Sequence, residues 1–213
     1  MLRMIYPPKC TFCERLLSRE ETDFCHHCRE TTEKFTRAKR NIPFVAHWTA
    51  LWYYKDTVRK SIHRFKFRYR RRYASTFGRL LAMKLSGSLA EDTDILSWVP
   101  VSRLRKLQRS YDQSELLCRA VSKELGIPVT RVLKKVRHTP PQSGILNAAQ
   151  RKANVQGAYR ALHPEALAGK RILLLDDVVT TGATASECAR VLLTAGAKEV
   201  YIAAIAASSH DKK

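Results

Sequence analysis

The sequence predicts an α/β fold, a mainly parallel sheet with helices on both faces, preceded by a small N-terminal cysteine module. Three observations predict it. Residues 172–184 run from four apolar residues into an adjacent acid pair, Asp176 and Asp177, then through Val178 and Val179 into Thr180-Thr181-Gly182-Ala183-Thr184. An apolar strand that passes straight into a turn and a helix is typical of a parallel sheet covered on both faces. Ile95 to Val99 reads as a second, earlier core strand, closed by Pro100. Cys10-x-x-Cys13 and Cys25-x-x-Cys28 stand at the other end of the chain.

A chain of 213 residues, 45% hydrophobic, accommodates one domain of ordinary size plus a small module. We divide it at residue 40, with a module over 1–40 and the α/β domain over 41–213. No apolar stretch is long enough to span a bilayer, so membrane insertion is not expected. Met1 to Lys9 lacks the apolar core of a signal peptide, which places the expected location in the cytoplasm, where thiols stay reduced.

The four cysteines come first in the chain. Two Cys-x-x-Cys knuckles separated by 11 residues can bring Cys10, Cys13, Cys25 and Cys28 around one tetrahedral zinc. So few apolar residues lie between them that the segment is not expected to fold without metal. Two disulfides or a redox pair are the competing readings, and the reducing compartment disfavours the first. His26 and His27 are surplus to a four-cysteine site and are expected on the surface. Cys118 and Cys188 lie in predicted helices and read as buried small hydrophobes.

The net charge is +20, and its location carries more than its size. Residues 1–45 carry +3, residues 46–160 carry +17, and residues 161–213 are neutral. The densest stretch holds Arg59, Lys60, Arg64, Lys66, Arg68, Arg70, Arg71 and Arg72 with no acid among them. Val58, Ile62 and Phe65 repeat at helical spacing, so a basic helical region over 57–85 packs one face and leaves the other cationic. Phe67, Tyr69 and Tyr73 interleave with the cations, downstream of Trp52, Tyr53 and Tyr54. Cations track a phosphate backbone and aromatic faces stack unpaired bases, a combination suited to single-stranded nucleic acid. The plainer reading makes the aromatics core residues. Arg105, Lys106 and Arg109 form a second basic stretch, after the strand at 95–99. Asp112, with Glu115 three residues on, reads as the N-cap of a helix that ends at Gly126; Ser114 is the alternative cap.

The acid pair and its loop carry the most specific chemistry. Amides at a helix N-terminus lack intrahelical partners and suit a phosphate. Thr180, Thr181 and Thr184 add hydroxyl donors, and Gly182 permits close backbone approach. Carboxylates only accept hydrogen bonds, so Asp176 and Asp177 suit a vicinal diol such as a ribose. Neither a dinucleotide-binding glycine pattern nor a P-loop is present. Residues 137–157 open with Pro140, Pro141 and Gly144 and read as a long loop, functional or plain surface.

The run from Ile172 to Thr184 resembles the signature of type I phosphoribosyltransferases, which bind phosphoribosyl pyrophosphate (PRPP). The resemblance extends along nearly the whole chain to the ComF family of competence proteins. It is carried by the paired Cys-x-x-Cys, Arg64-Phe65-Lys66-Phe67, Val99-Pro100-Val101-Ser102, Arg109 to Leu117, Thr139-x-x-Gln142 and Arg151-x-x-Asn154-Val155-x-Gly157. It implies a type I phosphoribosyltransferase-like fold behind a zinc ribbon. It also implies that Asp176 and Asp177 hold the ribose hydroxyls at the catalytic position, and that Val178 and Thr180 to Thr184 cradle the 5-phosphate. The turn at Val101, Ser102 and Arg103 is then the diphosphate loop, with Mg²⁺ accompanying PRPP, and 137–157 is the loop that closes over it. The family usually reads Arg-Gly-Phe-Asn-Gln where this chain has Arg109-Ser110-Tyr111-Asp112-Gln113. Ser for Gly removes permissive backbone and Asp for Asn adds a charge.

The implied role is natural transformation: binding single-stranded DNA in the cytoplasm, with a DNA-processing helicase or recombination mediator as partner. An active phosphoribosyltransferase of nucleotide salvage is the alternative, and a PRPP-sensing DNA-binding regulator the third reading.

Overall fold

The computed structural model describes residues 7–36, 40–68, 70–139 and 148–209. Tyr69 and residues 140–147, which hold the prolines and Gly144 of the expected closing loop, lie outside them.

The centre is a four-stranded sheet of β1 (His47–Tyr53), β2 (Ile95–Trp98), β5 (Arg171–Val179) and β6 (Glu199–Ala207), in the order β1-β6-β5-β2. Every pairing in it is parallel. β5 and β6 are buried along most of their length, because helices cover both faces. Side chains alternate between two cores: Leu173, Leu175, Tyr201 and Ala203 enter one, while Ile172, Leu174, Val200 and Ile202 enter the other.

The first core is closed by α2 (Asp56–Phe67), α3 (Tyr73–Leu85) and α5 (Gln113–Leu125). α2 buries Val58, Ile62 and Phe65, as the spacing predicts. The basic helical region is two helices, the first ending at Phe67 and the second starting at Tyr73, with Arg68, Arg70, Arg71 and Arg72 in neither. α3 crosses α5 closely: a Cβ on Gly78 would stand 2.4 Å from the Cβ of Ala120. Asp112 caps α5 by accepting the amides of Ser114 and Glu115, and Gly126 ends it in the left-handed region. The second core is closed by α8 (Ala183–Thr194), which buries Ala185, Cys188, Ala189 and Leu192. Cys118 and Cys188 are buried, and burial pushes the Cys118 thiol up to about 12. Both are therefore protonated packing residues at neutral pH.

A short helix, α4 (Arg103–Arg109), follows β2; Ser102 caps it. None of its residues is buried, so it leaves no apolar period in the sequence. It ends at Ser110 with φ of 60°, the position at which the family usually carries glycine. Tyr111 donates its hydroxyl to the Phe65 carbonyl, fastening the turn to α2. Asp112 turns inward rather than to solvent and accepts the Val101 amide at 3.1 Å. Burial raises its pKa, while its three amide donors lower it. A two-stranded antiparallel ribbon, β3 (Leu133–Lys135) with β4 (Tyr159–Ala161), stands beside the sheet, with α6 (Ala148–Val155) between its strands in the chain. α7 (Pro164–Leu167) leads into β5.

The cysteine segment docks on α2 and α3. Phe12 stacks on Phe24 at 4.3 Å, and both meet the edge of Trp52. Ser61 donates to the Thr11 carbonyl at 2.6 Å, and Arg64 donates to those of Thr11 and Phe12. Glu14 takes Arg64 at 3.5 Å and Arg70 at 3.1 Å, while Asp23 takes Thr76 and Arg79. The cation run that contains no acid in sequence thus meets an acid, Glu14, from the N-terminal cysteine segment. α1 (His26–Thr31) carries the second knuckle, with His26 and His27 exposed.

Candidate ligand pocket and cysteine centre

β5 ends where two carboxylates must be accommodated side by side. The pair is held by α2 and α5. Lys66, on the last turn of α2, reaches Asp177 Oδ1 at 2.6 Å. Gln113 Nε2 donates to Asp177 Oδ2 at 2.6 Å. Ser114 Oγ donates to Asp176 Oδ1 at 3.2 Å, and the same oxygen accepts the Asp177 amide at 2.8 Å. Burial, and then the charge of Asp177, push the Asp176 carboxyl up to about 8.

Around the pair lies a cavity of about 130 Å³ with a cationic wall. Lys66, Arg105, Arg109 and Lys135 line it, with the turn Val99 to Val101, Thr139 and Tyr159. Arg109 lies 4.6 Å over the ring of Phe67 and donates to Gln113 at 2.8 Å. Burial lowers its pKa. Lys135 donates to Thr139 Oγ1 at 2.9 Å and sits 5.1 Å over Tyr159. Burial, and then Arg105, bring it down to about 8. A second, smaller cavity is lined by Thr180, Gly182, Thr184 and Ala185, and it meets the first at Asp176 and Thr184. Gly182 has φ of +81°, and a Cβ there would stand 2.9 Å from Ile42. Arg40 donates to the Thr180 carbonyl and lies 5.5 Å over Trp48, while its Nε and Nη1 are buried without a hydrogen-bond partner.

The structure brings together Asp176, Asp177, Val178, Thr180, Gly182 and Thr184, with Thr181 and Ala183 completing the same turn. Val101 reaches the pocket, but Ser102 is buried as a cap 3.1 Å from His138 Nδ1. Arg103 lines a neighbouring cavity instead. Of the cations grouped as a nucleic-acid surface, Lys66, Arg105 and Arg109 face the acid pair. Arg64 and Arg70 are engaged by Glu14, Arg71 donates to the Ser110 carbonyl at 3.0 Å, and Lys106 pairs with Glu115. Arg72 lies 5.9 Å over Tyr73. Arg59, Lys60 and Arg68 make no ion pair or side-chain hydrogen bond among the described residues. They line an open cleft of about 530 Å³ with His63 and Glu14. Trp52, Phe65 and Tyr73 are core, whereas Phe67 is exposed beneath Arg109. Lys135, Gln113 and Arg40 were not singled out from sequence, since each reaches the pocket or its loop from another element.

The roots of the 137–157 stretch are fixed on both sides. Arg105 donates to the Thr139 carbonyl at 2.9 Å, and Arg137 donates to the carbonyls of Asn154 and Gln156. Gly157 donates its amide to Glu187 of α8 at 2.8 Å.

The sulfur atoms of Cys10, Cys13, Cys25 and Cys28 all lie within 4.8 Å of one another, and Cys13 and Cys25 are 3.6 Å apart. A tetrahedral zinc–thiolate site needs sulfurs roughly 3.8 Å apart, so the donor set fits one such ion.

A phosphoribosyl transferase domain model matches residues 112–213. DNA utilization protein YhgH of Escherichia coli is 30% identical over 203 residues, covering 91% of this chain and 87% of the relative. Competence protein F of Haemophilus influenzae is 28% identical over 204 residues, with the same coverage. Glutamine PRPP amidotransferase from B. subtilis aligns with a TM-score of 0.45 at 21% identity, over 65% of this chain and 29% of that one.

The acid pair makes a stability prediction. Asp176 holds a proton in the folded chain that the unfolded chain has lost between about pH 4 and pH 8. Stability from that proton is therefore lost as pH rises toward 8. Asp176→Asn retains an Oδ1 for both present donors and removes the charge. Thermal unfolding without ligand is expected to show the variant more stable than wild type at pH 8.5, by about 2–4 °C for each kcal/mol gained, with the gap closing toward pH 5. A variant less stable at pH 8.5 would refute the burial account.

Proposed function

The chain belongs to the ComF family of competence proteins, and on that premise we propose that it binds single-stranded DNA and carries a PRPP-type ligand pocket, in the cytoplasm. Its fold is that of the type I phosphoribosyltransferases. In this reading residues 1–40 are a zinc-stapled module and residues 41–213 the ligand-bearing domain.

The observation that carries the proposal is the placement of α2. One helix presents Arg59 and Lys60 to an open cleft, with Arg68 just past its end, and sends Lys66 to the acid pair. DNA cleft and pocket are then served by successive turns of one element. For the pocket, Asp177, ionised beside Lys66, and Asp176, which becomes acceptor-only once it gives up its proton to a diol ligand, lie beside an amide-rich turn and suit a ribose and its 5-phosphate, and the cationic wall suits a diphosphate. Asp176 and Asp177 are the catalytic-position carboxylates of this reading. They are oxygen donors of the kind Mg²⁺ takes, and that ion would arrive with the diphosphate. Ligand entry exchanges the Lys66 and Gln113 contacts of Asp177 for contacts to the ligand.

For zinc, the donor geometry is the support. Structural zinc would hold the segment whose Glu14 and Asp23 dock on α2 and α3. Metal analysis of the purified full chain is expected to return one zinc per chain, lost together with the fold of the segment in Cys28→Ala; a metal-free chain of equal stability would remove this reading. A helicase or recombination mediator is the partner class that the family's transformation role implies.

For DNA, the unpartnered cations set the test. Replacing Arg59, Lys60 and Arg68 together by alanine is expected to weaken binding of an oligothymidine strand and to lower the slope of log K against log salt by about 2. Salt-independent binding, or an unchanged slope in the triple variant, would contradict the assignment. Arg64→Ala is expected to act differently, loosening the cysteine segment rather than DNA contact alone.

A further inference from the structure

A separate cavity of about 210 Å³ lies against the ligand pocket, behind Pro100 and Val101. Five cations line it: Arg103 and Lys106 from α4, Arg131 and Lys134 from the segment that enters and forms β3, and Lys135, which also lines the pocket of the acid pair. Two acids, Asp112 and Glu115, share the wall, leaving three positive charges in excess. The acids are already engaged. Asp112 is spent on the amides of Val101, Ser114 and Glu115, and Glu115 on Lys106 and Arg119. Among the described residues Arg103, Arg131 and Lys134 make no ion pair. Like charges gathered round so small a volume repel unless an anion enters.

We propose that this cavity is a second anion site and that it takes a phosphomonoester, the terminal phosphate of a nucleotide or of a nucleic-acid strand. The excess charge suits a phosphomonoester, which carries nearly two negative charges at neutral pH. A backbone phosphodiester carries one, and needs chain to leave on both sides. The cavity is more enclosed than the cleft along α2 and admits a chain end better than a passing strand. Arg103 and Arg131 offer the forked donors that match phosphate oxygens, and Trp98 supplies an apolar floor. Since Pro100, Val101 and Lys135 border both cavities, the bound phosphate lies next to the ribose-phosphate pocket without occupying it. The site stands on its own cations and does not require the neighbouring pocket to bind PRPP.

The test uses the full chain and three probes: thymidine 5′-monophosphate, and an oligothymidine strand with either a 5′-phosphate or a 5′-hydroxyl. Binding is measured for wild type, for the double variant Arg131→Ala/Lys134→Ala, and for Asp176→Asn. Both replaced cations are exposed, so the double variant is expected to unfold at the wild-type temperature. The phosphorylated strand is expected to bind about 10-fold more tightly than the hydroxyl strand, an advantage lost in the double variant and kept in Asp176→Asn. A saturating monophosphate that competes only with the phosphorylated strand's advantage identifies the free nucleotide as an equal source; no competition assigns the site to strand ends. Equal affinity of the two strands together with no monophosphate binding would overturn the proposal, as would a phosphate advantage that survives the double variant or disappears in Asp176→Asn.

Discussion

Two neighbouring carboxylates at the end of a buried parallel strand impose the condition that organises this molecule. Adjacent negative charges in a low-dielectric setting repel strongly and lose their hydration. The chain meets that cost from two directions. Asp177 is paired with Lys66 and Gln113, and Asp176 is shifted toward its protonated form. Removing one member of a buried ion pair typically costs about 3–5 kcal/mol, because the other is left uncompensated. The arrangement therefore fixes where α2 ends and where α5 begins. Asp112 caps α5 one residue before Gln113 and also holds the turn after β2. The carboxylates, the helix start and the wall of the pocket are thus set by one short network.

The same network gives the charge distribution its meaning. The middle of the chain carries +17, yet its cations do not form one uniform surface. Arg64, Arg70 and Arg79 hold the cysteine segment, while Lys66, Arg105, Arg109 and Lys135 surround the acid pair. Arg59, Lys60 and Arg68 line an open cleft without an ion pair among the described residues, and Arg103, Arg131 and Lys134 gather at a separate cavity. A single count of charge conceals four different tasks. The cysteine segment shares the first core through Phe12 and Phe24, and so supports the helix that borders both cleft and pocket.

What the sequence made legible was local. The passage from β5 through the acids and Gly182 into α8 follows from apolar run, turn residues and helix composition in order. Asp112 as a cap, Gly126 as a stop, and the buried stripe of Val58, Ile62 and Phe65 are equally local signals. What remained hidden depended on distant pairing. Nothing near Lys66 indicates that it faces Asp177, and nothing near Arg64 indicates Glu14. α4 buries none of its residues, so no period marks it. β3 and β4 are three residues each, too short for an alternation to be read. Ser110 and Asp112 read as losses against the family pattern. In the structure Ser110 accepts a left-handed backbone, and Asp112 gains an acceptor oxygen that the Val101 amide uses.

The central claim is that the acid pair and its turn form a ligand pocket of ribose-phosphate type. Calorimetric titration of PRPP with Mg²⁺ into the full chain addresses it most directly, with Asp176→Asn as comparison. The asparagine keeps its present donors satisfied but cannot give up a proton to become the acceptor-only carboxylate that the ribose hydroxyls need. The account predicts saturable binding to wild type and at least about 10-fold weaker binding to the variant, a difference of about 1.4 kcal/mol. No binding to wild type, or equal binding to both, would contradict it.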